Sequence, residues 1–511
     1  MQKSIALLKS FTTLLTLIFI GNLEAAQKPN VLMIIVDDLK PTMGCFGDTL
    51  AITPHMDRLA SQGMIYSNNH CQQAVCGPSR ASLLTGLLPN NSKVWNFGDK
   101  MRQTNKDVLT LPQYFKQKGY YTQGMGKVFD GRCCDGWGPQ DRISWSTPLT
   151  WAGGKKALGG YTSQEAVDKI AELKTKGLWS KKQNSSALLA KHGYKPSTEC
   201  EDVPDDAYGD GDMTSKAINH LQNLSKKKQP FFFAVGYIRP HLPFTAPKKY
   251  WDYYDRDTIG QHPFRKRASD SPEYAYHNSG ELRQYSDIPK KEAISEDKKL
   301  ELRHGYYACV SYVDAQIGRL VKQLEELGIK DNTIICLWGD HGWHLGDHGM
   351  FCKHSNFEQA TRSPLILSGY GVPKGVATSQ PTEFLDVFPT LCDLSGLDIP
   401  PGLDGMSLSP LFEHPNQPLK PAARSQYPKY ADVPLMGHSI RNERYRLTQW
   451  MAANPKKGRV TGTTKSFELY DYQEDPMETR NLANHPEYQK QRDQMKKTLG
   501  EMFFGTGSQK N

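Results

Sequence analysis

Three apolar runs stand out along the chain, and each ends at polar residues able to do chemistry. Asn30 to Val36 (NVLMIIV) is continuous, rich in branched side chains, and has the pattern of a strand buried on both faces of a parallel sheet. It stops at Asp37 and Asp38. Thr333 to Trp338 (TIICLW) follows apolar positions at helical spacing over Val310 to Leu327, and it stops just before Asp340 and His341. Phe231 to Gly236 (FFFAVG) leads into Arg239, Pro240 and His241. Ligands of open α/β sheets collect at the carboxyl ends of the strands, so the three polar clusters are expected to meet in one crevice.

Elsewhere the pattern is weaker. Ile143 to Glu201 and Arg265 to Lys299 are polar, short of apolar periodicity, and expected as surface insertions. Pro400, Pro401 and the prolines from Pro415 to Pro421 mark a boundary. Beyond it, His438 to Trp450 and Ser466 to Tyr470 predict antiparallel strands, and Glu487 to Met502 a closing helix. At the other end, Lys3 and Lys9 precede an apolar run, Phe11 to Leu23, that closes on Ala25 and Ala26. This is the pattern of a signal peptide cleaved near Ala26, too short to span a membrane comfortably. The expected organisation is a signal over 1–26, a catalytic α/β domain over 27–415 and a C-terminal α+β subdomain over 416–511, in a secreted or periplasmic protein with no membrane span after cleavage.

Composition narrows the class. With 38% hydrophobic and 23% charged residues in 511, and no repeat or low-complexity tract, the chain is a folded, enzyme-sized body. Its formal charge of +9 suits a polyanionic partner. No basic stripe or reader motif accompanies that charge, which excludes nucleic-acid binding as the expectation. Ten cysteines are too few for a disulfide-built scaffold. Cys133 and Cys134 are adjacent, so each takes a separate partner, such as Cys200, or stays free.

The densest chemistry lies in Cys76-Gly77-Pro78-Ser79-Arg80, followed by Ala81 to Gly86 (ASLLTG). A helix over Ser79 to Thr85 would turn its N-terminus toward residue 76 and favour an anion there, with Arg80 adding a fixed positive charge. Asp37, Asp38, Asp340 and His341 form the oxygen-rich set a hard divalent cation takes. Taken singly, an Asp-Asp pair after a strand is equally a turn or helix cap, and a cysteine before a helix is equally core. His344 and His348 lack partner ligands for a second metal and are expected as residues around the pocket. Trp343 is either a sugar-stacking surface or plain packing.

Together with QQAVCGPSR, the stretches GKVF (Gly126 to Phe129), AVGYIRPHLPF (Ala234 to Phe244), DHGWHLGDHG (Asp340 to Gly349), KHSNF (Lys353 to Phe357), SQYP (Ser425 to Pro428) and ELYD…DP…NL (Glu468 to Leu482) resemble the sulfatase family. His341, where many members carry asparagine, resembles the iduronate-2-sulfatase branch. The resemblance implies an alkaline-phosphatase-like α/β fold: a mixed, mostly parallel sheet flanked by helices, with a smaller C-terminal subdomain containing an antiparallel sheet. It implies hydrolysis of a sulfate ester on a sulfated oligo- or polysaccharide, and oxidation of Cys76 to formylglycine by a maturation enzyme. The hydrate of that aldehyde is a geminal diol, one hydroxyl attacking sulfur while the other later expels sulfate. One Ca2+ would be held by Asp37, Asp38, residue 76, Asp340 and His341. Arg80 is carried over as a catalytic-site charge. Lys127, His241 and Lys353 would contact sulfate, with His241 and Lys353 protonating or neutralising the leaving sugar oxygen.

One position departs from the family. Where a histidine following the Gly-Lys motif assists the formylglycine hydroxyl, this chain has Asp130. Three readings stand for it: a base for the second hydroxyl, a residue that orients water, or a mark of reduced turnover. Two other functions remain as alternatives, a phosphodiesterase or phosphonate monoester hydrolase of the same superfamily, and a catalytically weak relative that binds sulfated glycans.

Overall fold

A computed structural model describes residues 28–179, 185–429, 433–454 and 459–505. The signal-peptide expectation therefore lies outside the described residues. Seven strands build the main sheet: β1 (Asn30–Val36), β2 (Gly63–Tyr66), β3 (Tyr121–Gly126), β4 (Phe231–Tyr237), β5 (Thr333–Gly339), β6 (Leu365–Gly369) and β7 (Val376–Thr378), in the order β7-β2-β6-β5-β1-β4-β3. Only β6 runs antiparallel to its neighbours, so the sheet is mixed and mostly parallel.

The apolar run of β1 is explained by what covers it. Leu32, Ile34 and Val36 pack on one side with Tyr306, Val310 and Val313, whereas Val31, Met33 and Ile35 face Leu83, Leu84 and Phe115 on the other. A strand clothed on both faces needs no polar alternation. The first cover comes from a long helix, Glu296–Glu326, whose Ser295 cap accepts from the Lys298 N–H and whose first turn carries Glu296 and Asp297. The second comes partly from α1 (Cys76–Thr85), buried along its whole length. The helix expected over Val310 to Leu327 is thus the back half of a longer one.

A four-stranded antiparallel sheet follows, β8 (Ala423–Lys429), β9 (Leu435–Arg441), β10 (Tyr445–Asn454) and β11 (Arg459–Asp471), paired in sequence order. The helix Gln489–Phe504 closes it, burying Met495 and Leu499 against Ile440 and Leu447.

Two expectations need correction. The 143–201 segment is more than a surface insertion: Ala166, Ile170 and Leu173 lie on one face of the helix Gln164–Thr175 and join Tyr161, Leu189 and Tyr194 in a small core of their own. The 265–299 segment delivers side chains to the site described below. All ten cysteines are free, with Cys133 and Cys134 buried and Cys200 exposed. No helix among the described residues is long and apolar enough to cross a membrane.

Candidate active site

Because β5, β1 and β4 are parallel neighbours, their carboxyl ends lie side by side and carry the three polar clusters to one place. The Asp37 N–H donates to the Tyr237 carbonyl, and the Asp340 N–H to the Val36 carbonyl at 3.2 Å. Asp38 sits at φ 59°, a left-handed conformation that aspartate tolerates better than most residues. Its N–H donates to Asp340 Oδ1 at 2.9 Å, and its carbonyl accepts from the Tyr306 hydroxyl at 2.8 Å.

The helix carrying the nucleophile candidate begins one turn earlier than the sequence expectation, with Cys76 itself at the first helical position after an extended Val75. Gly77 is required there by close approach: a Cβ on it would fall 2.5 Å from Cys133 Sγ and 3.2 Å from Phe97. The Ser79 hydroxyl donates to the Asp340 carbonyl and ties the helix to the end of β5. Arg80 is fully buried and spans the strand ends: Nη2 donates to Asp37 Oδ1 at 2.8 Å, Nε to Asp340 Oδ2 at 2.9 Å, and Nη1 to the carbonyls of Lys127 and Val128. A planar guanidinium with five donors is the side chain that can serve all of these at once.

Cys76 Sγ lies 3.3 Å from His341 Nε2 and 3.8 Å from Asp38 Oδ1. Burial, with the nearby Asp37 charge, pushes this thiol well above its ordinary range, so it is held neutral. His341 donates from Nδ1 to the Gly342 carbonyl at 2.9 Å, which leaves the Nε2 lone pair facing Sγ, Asp38 Oδ1 at 3.3 Å and Asp340 Oδ1 at 3.6 Å. Ligand atoms of Asp38, Cys76, Asp340 and His341 all fall within 4.8 Å of one another, as do those of Asp37, Asp38, Cys76 and His241. Burial raises the Asp340 carboxyl and the adjacent Asp37 carboxylate raises it further, while the Arg80 guanidinium opposes both. Crowded, desolvated carboxylates beside an imidazole lone pair fit a hard divalent cation, which would relieve that repulsion. The Cys76 sulfur marks the position that an oxygen of a modified residue would take in such a shell.

Two lysines and a histidine close over this floor. Lys127 Nζ donates to Asp37 Oδ2 at 2.6 Å. Lys353 Nζ donates to both oxygens of Asp38, at 3.2 and 3.1 Å, and to Glu281 Oε1 at 2.9 Å. Both ammonium groups are buried; their pairing with carboxylates outweighs that burial and raises them above the ordinary lysine range. His241 donates from Nδ1 to the Leu242 carbonyl at 2.6 Å and sets Nε2 at 3.1 Å from Glu281 Oε1 and 3.9 Å from Asp38 Oδ2. Its loop is held by Arg239, which donates to the His241 carbonyl at 2.8 Å and to Thr245. Arg239 thus braces the loop, while His241 reaches the cluster.

Glu281 is the participant that sequence reasoning missed. It arrives from the irregular 265–299 segment, where no periodicity or motif singles it out. Asp130 is buried with both oxygens occupied by Arg132, whose Nε and Nη2 donate at 2.8 and 2.6 Å. Burial would raise its carboxyl, but the Arg132 hydrogen bonds and the Lys127 charge outweigh this and hold it below its usual value. Trp343 is wholly buried, edge-on to Phe244 and 4.9 Å from Lys353 Nζ, so it packs and cannot stack on a sugar. His344 is clamped between Asp347 and the Ser355 hydroxyl (2.7 Å), and His348 stacks on Phe357 at 4.5 Å. His344 lies on a two-residue strand and His348 in the turn that follows it.

Above these groups opens a cavity of about 550 Å³, lined among others by Asp37, Cys76, Lys127, His241, Glu281 and Lys353. That volume accommodates a sugar-sized ligand. Arg132, Lys195 and His241 line this cavity beside the two lysines, so its wall carries cations that an anionic ligand can meet.

The family profile described as Sulfatase matches residues 29–397, and that described as N-sulphoglucosamine sulphohydrolase, C-terminal matches residues 346–503. Iduronate 2-sulfatase of Mus musculus is 32% identical, with 94% of this chain and 95% of that protein covered. A protein of Formosa agariphila named sulfatase is also 32% identical, covering 93% of this chain and 87% of its own. Among solved structures, one described as in complex with its substrate D-glucosamine-2-N,6-O-disulfate superposes with a TM-score of 0.69 at 22% identity, covering 93% of this chain and 97% of that one. The phosphonate monoester hydrolase of Agrobacterium radiobacter gives 0.68 at 23% identity over 93% and 95%. At such identities these two structures speak for the fold alone. With a family profile over most of its length and relatives at this level along nearly the whole chain, the protein belongs to the sulfatase family and is a sulfuric ester hydrolase.

Proposed function

We propose that the protein is an exported, calcium-dependent sulfatase that removes sulfate from a sulfated saccharide, with residue 76 acting as formylglycine. The observation that carries this reading is the placement of Cys76 at the head of a buried helix, against His341 and Asp38, on the floor of a cavity ringed by Lys127, His241 and Lys353. The similarity to iduronate 2-sulfatase supports a sulfated uronic acid or related glycan as substrate. Residues 27–415 would form the catalytic domain and 416–511 the C-terminal α+β subdomain.

In this reading Asp37, Asp38, Asp340, His341 and residue 76 would hold a calcium ion, which would supply Lewis-acid stabilisation of charge on the sulfate oxygens. Arg80 orients the Asp37 and Asp340 carboxyls and offsets the charge buried with them. Lys127 and Lys353 exchange part of their carboxylate contacts for sulfate oxygens and offset charge as it shifts toward the leaving group. His241, protonated, donates to the departing sugar oxygen.

The test is mass spectrometry of the peptide containing residue 76, paired with sulfate release from a panel of sulfated oligosaccharides. Formylglycine with release supports the proposal and begins to name the sugar. An unmodified cysteine in protein made by a host with a working maturation enzyme sinks the formylglycine claim. Turnover of a phosphate ester equal to or better than that of the matching sulfate ester moves the chain to the phosphodiesterase and phosphonate branch.

Glu281 adds a prediction. Burial lowers the proton affinity of His241, but Asp38, Asp37 and the Glu281 hydrogen bond outweigh it and raise the imidazole above its ordinary value. For an acid that must be protonated, activity is lost as pH rises through that value. Glu281→Gln removes one of the raising charges, so the basic limb of the kcat/KM profile should move to lower pH, with turnover at neutral pH falling roughly 10- to 100-fold. A basic limb that stays in place would remove His241 and Glu281 from the proton transfer.

A further inference from the structure

The chain's departure at residue 130 creates a feature at the cavity wall. Arg132 folds back over Asp130: its backbone N–H donates to Oδ1 at 3.0 Å, Nε donates to Oδ1 at 2.8 Å and Nη2 to Oδ2 at 2.6 Å. This pairing of two forks fixes the direction of the guanidinium, because the carboxylate beneath it is buried and the geometry is bidentate. The guanidinium carbon lies 3.4 Å from the Phe97 ring centroid and 5.7 Å from that of Trp137, so an aromatic shelf holds it as well.

What matters is the edge left over. Asp130 takes Nε and one hydrogen of Nη2, and Nη1 has no hydrogen-bond partner among the described residues. The remaining Nη1–Nη2 edge is a second fork, of the geometry that receives two oxygens of a carboxylate or a sulfate. The Arg132 side chain is 42% exposed and lines the same cavity as Cys76 and Lys127. Lys195 lines that cavity too, over the Tyr285 ring at 4.3 Å, and makes no ion pair among the described residues. Two cations thus border the cavity beyond the lysines already engaged with the metal-site carboxylates.

We propose that Arg132, oriented by Asp130, binds a second anionic group of the substrate, a carboxylate or a further sulfate borne by the sugar that carries the scissile ester or by its neighbour. The proposal rests on the sulfatase reading above and extends it to substrate choice. Asp130 is then a positioning residue for Arg132: its two oxygens are committed to that pair, so it is not free to serve as a base at residue 76.

The test compares a uronate sulfate and a disulfated disaccharide with the matching neutral monosulfates, in turnover by the mature enzyme and in binding to the Cys76→Ala protein, which cannot turn any of them over. The expected result is that the Cys76→Ala protein binds the uronate or the disulfated ester more tightly than the matching neutral one by about 10- to 100-fold, the scale of a charge-assisted pair. Adding Arg132→Met should collapse that ratio toward one, and Arg132→Lys should keep part of it, since lysine retains the charge and loses the fork. Asp130→Asn should lower the ratio too, acting on KM more than on kcat. Asp130→His, if the proposal holds, does not raise turnover. Equal affinity for the uronate, disulfated and neutral esters without Arg132→Met, or ratios that this substitution leaves unmoved, overturns the subsite. A mature enzyme that turns over none of the esters fails the sulfatase reading instead, and the binding ratio still decides the role of Arg132.

Discussion

Cys76→Ala should abolish sulfate release, by roughly four orders of magnitude or more, the scale on which enzymes lose turnover with their nucleophile, while the fold survives. The physical reason is that nothing else in the cavity can replace it. Residue 76 stands at the first position of α1 facing the cavity; the carboxylates around it are committed to Arg80, Lys127 and Lys353, and the His341 Nε2 lone pair is turned toward Asp38 and Asp340 as a candidate metal ligand. The same residue separates two chemistries. A thiolate mechanism needs a thiol lowered by its surroundings, and here burial pushes the thiol the other way. The purified enzyme should therefore react at residue 76 with a hydrazide or aminooxy probe for aldehydes and resist thiol alkylation there. Alkylation of residue 76 with parallel loss of activity would show a working thiol and refute the aldehyde.

Arg80→Met should cost about 3–5 kcal/mol of folding stability and remove activity with it. Among the described residues Arg80 is the sole cation joining Asp37 to Asp340, and all three side chains are essentially without solvent. Breaking a buried pair from one side leaves carboxylates desolvated and unpaired, which is costlier than never having buried the pair. Arg80→Lys is expected to behave as a loss as well, because one ammonium cannot serve two carboxylates and two carbonyls from a fixed helical position. Denaturant unfolding and sulfate release measure the two effects. A variant with unchanged stability would mean that Lys127 alone satisfies Asp37, and Arg80 would lose its structural role.

The site was legible to different depths, and the differences have causes. Residues at strand ends, Asp37, Asp38, Asp340, His341 and His241, were visible because a parallel strand buried on both faces leaves an unbroken apolar run in the sequence and the first polar residue after it marks the ligand side of the sheet. Their convergence then followed from adjacency of β5, β1 and β4. Cys76 and Arg80 were visible through a motif. Glu281 was not, since it stands on an irregular segment whose course is decided by packing against distant elements. Trp343 had two readings, and only its burial beside Phe244 decided between them. The small core around Ile170 could have been found from the spacing of Ala166, Ile170 and Leu173, which the surrounding lysines and glutamates obscured.

By itself, then, the sequence determined the class of chemistry, the strands that carry it and the basic character suited to an anionic substrate, because these depend on local patterns: runs, spacings and residue types. Tertiary structure alone decided which charges meet. That Arg80 bridges two strands, that Glu281 joins His241 to Lys353, and that Asp130 spends both oxygens on Arg132 are facts of three-dimensional pairing. Charges that must be desolvated together are brought within hydrogen-bond range by the packing of whole elements, and no short stretch of chain records the result.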